Sequence, residues 1–70
     1  MKKGDLHMWL TMHGLENSLE LYQKIEPYGV ALTEMGDVAY VHGNVTMETA
    51  TKIIGICEQY GKVETELSMV

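Results

Sequence analysis

The chain has 70 residues, 46% of them hydrophobic, a single cysteine and a formal net charge of −5. That length limits it to one domain spanning residues 1–70, and a domain so small commonly leans on a disulfide, a metal or self-association for stability. The lone Cys57 excludes an intrachain disulfide, five scattered lysines with no arginine argue against nucleic acid, and no apolar run approaches the ~20 residues of a membrane span.

Met1 to Asp5 is too short and polar for a signal peptide, so a soluble cytoplasmic protein is expected. Leu6 to Met12 then alternates strictly between apolar and other side chains, the period of a half-buried strand. His13-Gly14 ends it. Asn17 suits a helix N-cap, with Glu20 at the third helical position as in a capping box. Leu15, Leu19, Tyr22 and Ile25 follow helical spacing and are expected to form the buried stripe. Pro27 and Tyr28-Gly29 stop the helix. Val30 to Met35 reads as a second strand. Gly36-Asp37 suits a two-residue hairpin turn, and Val38 to His42 is the third strand. Thr46 caps a second helix whose buried stripe is Ala50, Ile53, Ile54 and Cys57. Gly61 is placed as the glycine that ends this helix. Val63 to Met69 alternates as a fourth strand, with Val63, Thr65, Leu67 and Met69 inward.

Strand, helix, strand, strand, helix, strand is the ferredoxin-like βαββαβ sandwich of the α+β class. Its four-stranded antiparallel sheet has order 4-1-3-2, with two helices on one face. The Gly36-Asp37 turn sets Met35 opposite Val38, Thr33 opposite Tyr40 and Ala31 opposite His42. With Leu6, Met8, Leu10 and Met12 facing the helices, the open face receives His7, Trp9, Thr11 and His13 from the first strand. It also receives Thr33, Val38, Tyr40 and His42. His7 and His42 fall at one end with Asp5. His13 falls at the other, near Glu64 or Glu66.

An aromatic and apolar patch on an uncovered sheet calls for a partner. The simplest reading is a homodimer or higher homo-oligomer, joined through the open face or the sheet edges. Trp9, Tyr40, His13, Gly14, Thr11, Thr33 and Val38 are then the interface or ligand residues. The stretches MHGLENSLELYQKIEPYGVAL, MGDVAYVHGNV and YGKVETEL together resemble an ACT domain in layout. That resemblance implies a regulatory module binding a small-molecule ligand between copies, with His13, Gly14 and Leu15 at the ligand loop. Met12-His13 stands where such domains often carry an aspartate-proline pair.

A different resemblance links Asp5-Leu6-His7-Met8-Trp9 to a strand in the cytosolic domain of cation diffusion facilitator transporters, where a histidine can ligate zinc. His7, His42 and Asp5 could supply nitrogen and oxygen ligands to zinc or nickel. The strands bearing Trp9 and Tyr40 also resemble the aromatic strands of RNA-recognition domains, which would make those rings stacking platforms for single-stranded RNA. Val38 stands there in place of an aromatic, and the net charge opposes that reading. No nucleophile elbow, phosphate loop or paired-carboxylate pattern points to catalysis. A non-catalytic binding module with no resident cofactor is the expectation.

Overall fold

The alternation in LHMWLTMH produces the central strand of the domain. A computed structural model describes residues 6–69 and contains β1 (Leu6–His13), α1 (Ser18–Ile25), a short 3-10 turn (Glu26–Tyr28), β2 (Ala31–Met35), β3 (Val38–Val45), α2 (Met47–Cys57) and β4 (Lys62–Met69). Asp5 lies outside the described residues. The four strands form one antiparallel sheet in the order β2-β3-β1-β4, which is the expected order read from the other edge. No helix among the described residues is long and apolar enough to cross a membrane.

Met8, Leu10 and Met12 are fully buried, while His7, Trp9, Thr11 and His13 occupy the alternate positions of β1. Leu21 and Ile25 of α1 and Ala50, Ile53 and Cys57 of α2 join the same core cluster, so both helices pack against that side of the sheet. Burial of each large core side chain contributes roughly 1.5–3 kcal/mol. The β2–β3 turn is as expected: Gly36 adopts φ 62, and Met35, Thr33 and Ala31 face Val38, Tyr40 and His42. Val30 precedes β2 instead of opening it, and β3 runs three residues past His42, to Val45.

Both helices carry the caps expected of them. The Asn17 side chain accepts from the Glu20 backbone N–H at 3.4 Å and donates to Glu20 Oε1 at 2.7 Å, with its backbone in the left-handed region. Thr46 Oγ1 accepts from the Thr49 N–H at 3.1 Å. Each cap contributes about 1 kcal/mol. Burial pushes the Cys57 thiol up to about 11, with Glu58 adding to the shift. A thiol held protonated in this way is a small core hydrophobe and not a nucleophile.

Three expectations about packing are corrected. The buried stripe of α1 is Leu21 and Ile25; Leu19 is 68% exposed and Tyr22 39%. Leu21 and Ile25 join the core cluster, and a tie on the neighbouring face accompanies this rotation. Tyr60, just after α2, donates its hydroxyl to Glu20 Oε2 at 2.8 Å, and Lys24 Nζ lies 3.6 Å from the same oxygen. With Glu20 and Lys24 held towards Tyr60, the 3.6-residue period brings Leu21 and Ile25 over the sheet. It sends Tyr22 towards β2 and Leu19 outward. Tyr60 and then Glu20 hold the Lys24 ammonium above its ordinary range.

The second correction concerns Gly61, which does not end α2; the cap is Glu58. A Cβ on Gly61 would stand 2.9 Å from the carbonyl oxygen of His13, so glycine is needed for the close approach of two loops. Glu16 N–H donates to Tyr60 C=O at 3.0 Å across the same junction. Finally, Thr65 and Met69 are exposed, not buried, because β4 is an edge strand that the helices cover only at Val63 and Leu67.

Candidate functional site

The side of the sheet away from the helices is organised in rows running across all four strands. Ala31, His42, Trp9 and Glu66 make one row, and Thr33, Tyr40, Thr11 and Glu64 the next. Met35, Val38, His13 and Lys62 make a third. Trp9 lies at the centre. Its ring stacks on His42, with centroids 4.9 Å apart and planes 23° apart, and tilts against Tyr40 at 5.2 Å. Such ring pairs add about 0.5–1.5 kcal/mol beyond their buried area. The sheet thus brings together Trp9, Tyr40 and His42 as one half-buried aromatic platform, with Thr11 and Thr33 on either side of Tyr40.

The remaining expected residues are spread along the face. His7 pairs with Asn44, one step beyond the Trp9–His42 pair, so His7 and His42 are diagonal neighbours at one end. His13 is at the opposite end beside Val38, and its Nε2 lies 3.6 Å from Glu64 Oε1 without a hydrogen-bond partner. An exposed pair of this kind contributes about 0–1 kcal/mol. Gly14, at φ 65, lines a separate depression of about 340 Å³ with Leu15, Glu34, Gly36, Asp37 and Val38 at the end of the sheet. Among the described residues no three His, Cys, Asp or Glu side chains converge in a way that could hold a metal ion.

Two shallow depressions meet at Trp9. One, of about 270 Å³, lies between Trp9, Thr11, Glu64 and Glu66. The other, of about 400 Å³, lies between His7, Trp9, Glu66 and Ser68. Glu66 borders both and sits directly across from Trp9. Its place opposite the indole depends on the β1–β4 register, which no short turn fixes, so the sequence does not disclose it.

The edges of the sheet form the second feature. β4 presents Lys62, Glu64 and Glu66 on its open side. β2 presents Ala31, Thr33 and Met35, with Met35 60% exposed and no charge among the three. On the helix side of β2 a groove of about 430 Å³ is lined by Ser18, Leu19, Tyr22, Ala31, Leu32 and Glu34. Leu19 and Tyr22 are therefore functional candidates that the helical pattern assigned to the core. A signal was present in the sequence: apolar residues at 15, 19, 21, 22 and 25 are too many for one narrow stripe.

Comparison with family models, with curated proteins and with solved structures gives no match, so the residues themselves carry the functional argument.

Proposed function

We propose that this chain is a non-catalytic binding module of ferredoxin-like topology that pairs with a second copy of itself along β2. The observation that carries this reading is the β2 edge, whose open side bears no charge and whose one charged residue, Glu34, faces the groove beside exposed Leu19 and Tyr22. An open strand edge is a template for another strand, and proteins usually blunt it with charge, proline or a bulge. β4 has such charges; the open side of β2 has none.

An antiparallel two-fold pairing centred on Thr33 uses all five residues of β2. It sets Thr33 against Thr33 of the partner subunit and Ala31 against the partner's Met35. Glu34 then faces the partner's Leu32, so the two Glu34 carboxylates do not oppose each other. The helix-side grooves become continuous across the axis, where Leu19 and Tyr22 are covered. A standard interface buries about 800 Å² on each partner, a large share of the 4551 Å² that the described chain exposes. Five strand residues do not supply that area alone, which makes α1 part of the contact.

Sedimentation equilibrium on paired charge variants tests this reading. Thr33→Lys and Thr33→Glu each place like charges together at the axis and should each be monomeric. Mixed in equal amounts they should restore a dimer. Two variants that remain dimeric, or a mixture that stays monomeric, would rule out the pairing.

A further inference from the structure

The aromatic platform on the open face has no place in an edge-to-edge pair, and no element among the described residues covers it. We propose that it is a docking surface for a partner protein chain that inserts an arginine side chain between Trp9 and Glu66.

The chemistry is set by what stands beside the ring. The indole of Trp9 is supported from one side by His42 and Tyr40, which hold it against the sheet. On the β4 side its cross-strand neighbour is Glu66, with Glu64 one row along and Thr11 between Glu64 and Tyr40. A stacked tryptophan with a glutamate as its cross-strand neighbour, the two lining the same depressions, suits a planar, delocalised cation. A guanidinium stacks on the indole while donating its forked N–H groups to the carboxylate; an ammonium is a strongly hydrated point charge and matches neither feature as well. Glu64 already faces His13, whereas among the described residues Glu66 has no ion-pair partner. The chain contains no arginine, so it holds no group of its own that fills this role.

The shape of the site favours a side chain delivered by a macromolecule. Pockets for free small ligands surround most of the ligand's surface. The depressions of about 270 and 400 Å³ at Trp9 are shallow hollows on a sheet face. A partner chain laid across the strands gains further contact with Thr11, Tyr40 and Thr33. The net charge of −5 attracts a basic partner from a distance.

Trp9 is the only tryptophan, so its emission reports on the proposed site directly. The acetylated peptide Gly-Arg-Gly-Arg-Gly should change that emission saturably, and its lysine counterpart should bind at least about fivefold more weakly. Glu66→Gln should weaken the arginine peptide by about fivefold or more, while Glu48→Gln, an equal loss of charge on α2, should leave it unchanged. Calorimetry with Trp9→Phe gives a second readout, in which a smaller ring should weaken binding. Equal binding of the two peptides, or equal effects of the two glutamate variants, would reduce the effect to general charge attraction and overturn the proposal. So would the absence of binding at millimolar peptide. Acetyl-arginine amide binding as tightly as the peptide would overturn the macromolecular partner. Emission that varies with protein concentration in the absence of peptide would show a second copy on this face instead.

Discussion

β2 and β4 are the two outermost strands of one sheet, yet their chemistry is opposite. β4 is eight residues long and alternates Lys62, Glu64 and Glu66 outward over a partly covered inner side. β2 is five residues long, with small or apolar side chains on the open side and a groove above it where Leu19, Tyr22 and Leu32 sit with Ser18 and Glu34. Charge on an edge strand makes pairing with another strand costly, because the charges must be desolvated or brought together. The contrast teaches that the two edges of one sheet differ in the charge they would bring against a further strand, three charged residues on the open side of β4 and none on that of β2. It also places the outward-facing leucine and tyrosine of α1 on the β2 side of that divide.

The largest effect that can break this comparison comes from putting on the open side of β2 the kind of charge β4 already has there. Thr33→Lys should weaken dimerisation by well over tenfold, more than about 1.4 kcal/mol, while Ser68→Lys on β4 should leave it unchanged. Equal sensitivity of both edges in sedimentation would erase the distinction. Next, Leu19→Glu should weaken the dimer by about tenfold through the groove, with little change in the melting temperature of the monomer, since Leu19 is outside the core. A smaller effect, and of the opposite sense, should come from discharging β4. Glu64→Thr with Glu66→Thr opens the second edge, so species larger than dimers should appear in light scattering at high concentration.

The smallest expected effect separates the edges from the core. The Cys57 thiol is neutral in the fold up to about pH 11, while an unfolded thiol ionises near 9.0. The unfolded state therefore loses this proton first as pH rises, and stability should fall between those values. Cys57→Ala should flatten that fall. Below pH 9 neither protein's association should respond to this group, and a thiol reagent should label Cys57 only after denaturation.

Much of this architecture is legible in the sequence wherever the signal is local. The alternation of Leu6 to Met12, the Gly36-Asp37 turn and the Thr46 cap each depend on residues close in the chain, and each is found where expected. The first two assign Trp9, Tyr40 and His42 to the same open face, whereas the row that sets Trp9 beside His42 depends on the β1–β3 register, which no short turn fixes. The rotation of α1 escapes because two stripes compete within one short helix. The stripe that is buried is the one that meets partners distant in the chain, Leu21 and Ile25 in the core, with Tyr60 reaching Glu20 from 40 residues away on the neighbouring face. The exposure of Met69 and the role of Gly61 escape for the same kind of reason. One depends on how far the helices extend over an edge, the other on a backbone oxygen in a distant loop.

The order β2-β3-β1-β4 also sets a length scale. Joined at β2, two copies form a ribbon of eight strands spaced about 4.8 Å apart, so the two β4 strands stand roughly 35 Å from each other. Fluorophores attached at Ser68 of each copy would sit at the two ends of that ribbon, and energy transfer between them would measure its span. The same geometry turns both tryptophan platforms to one side of the ribbon, so a single basic chain could bridge them.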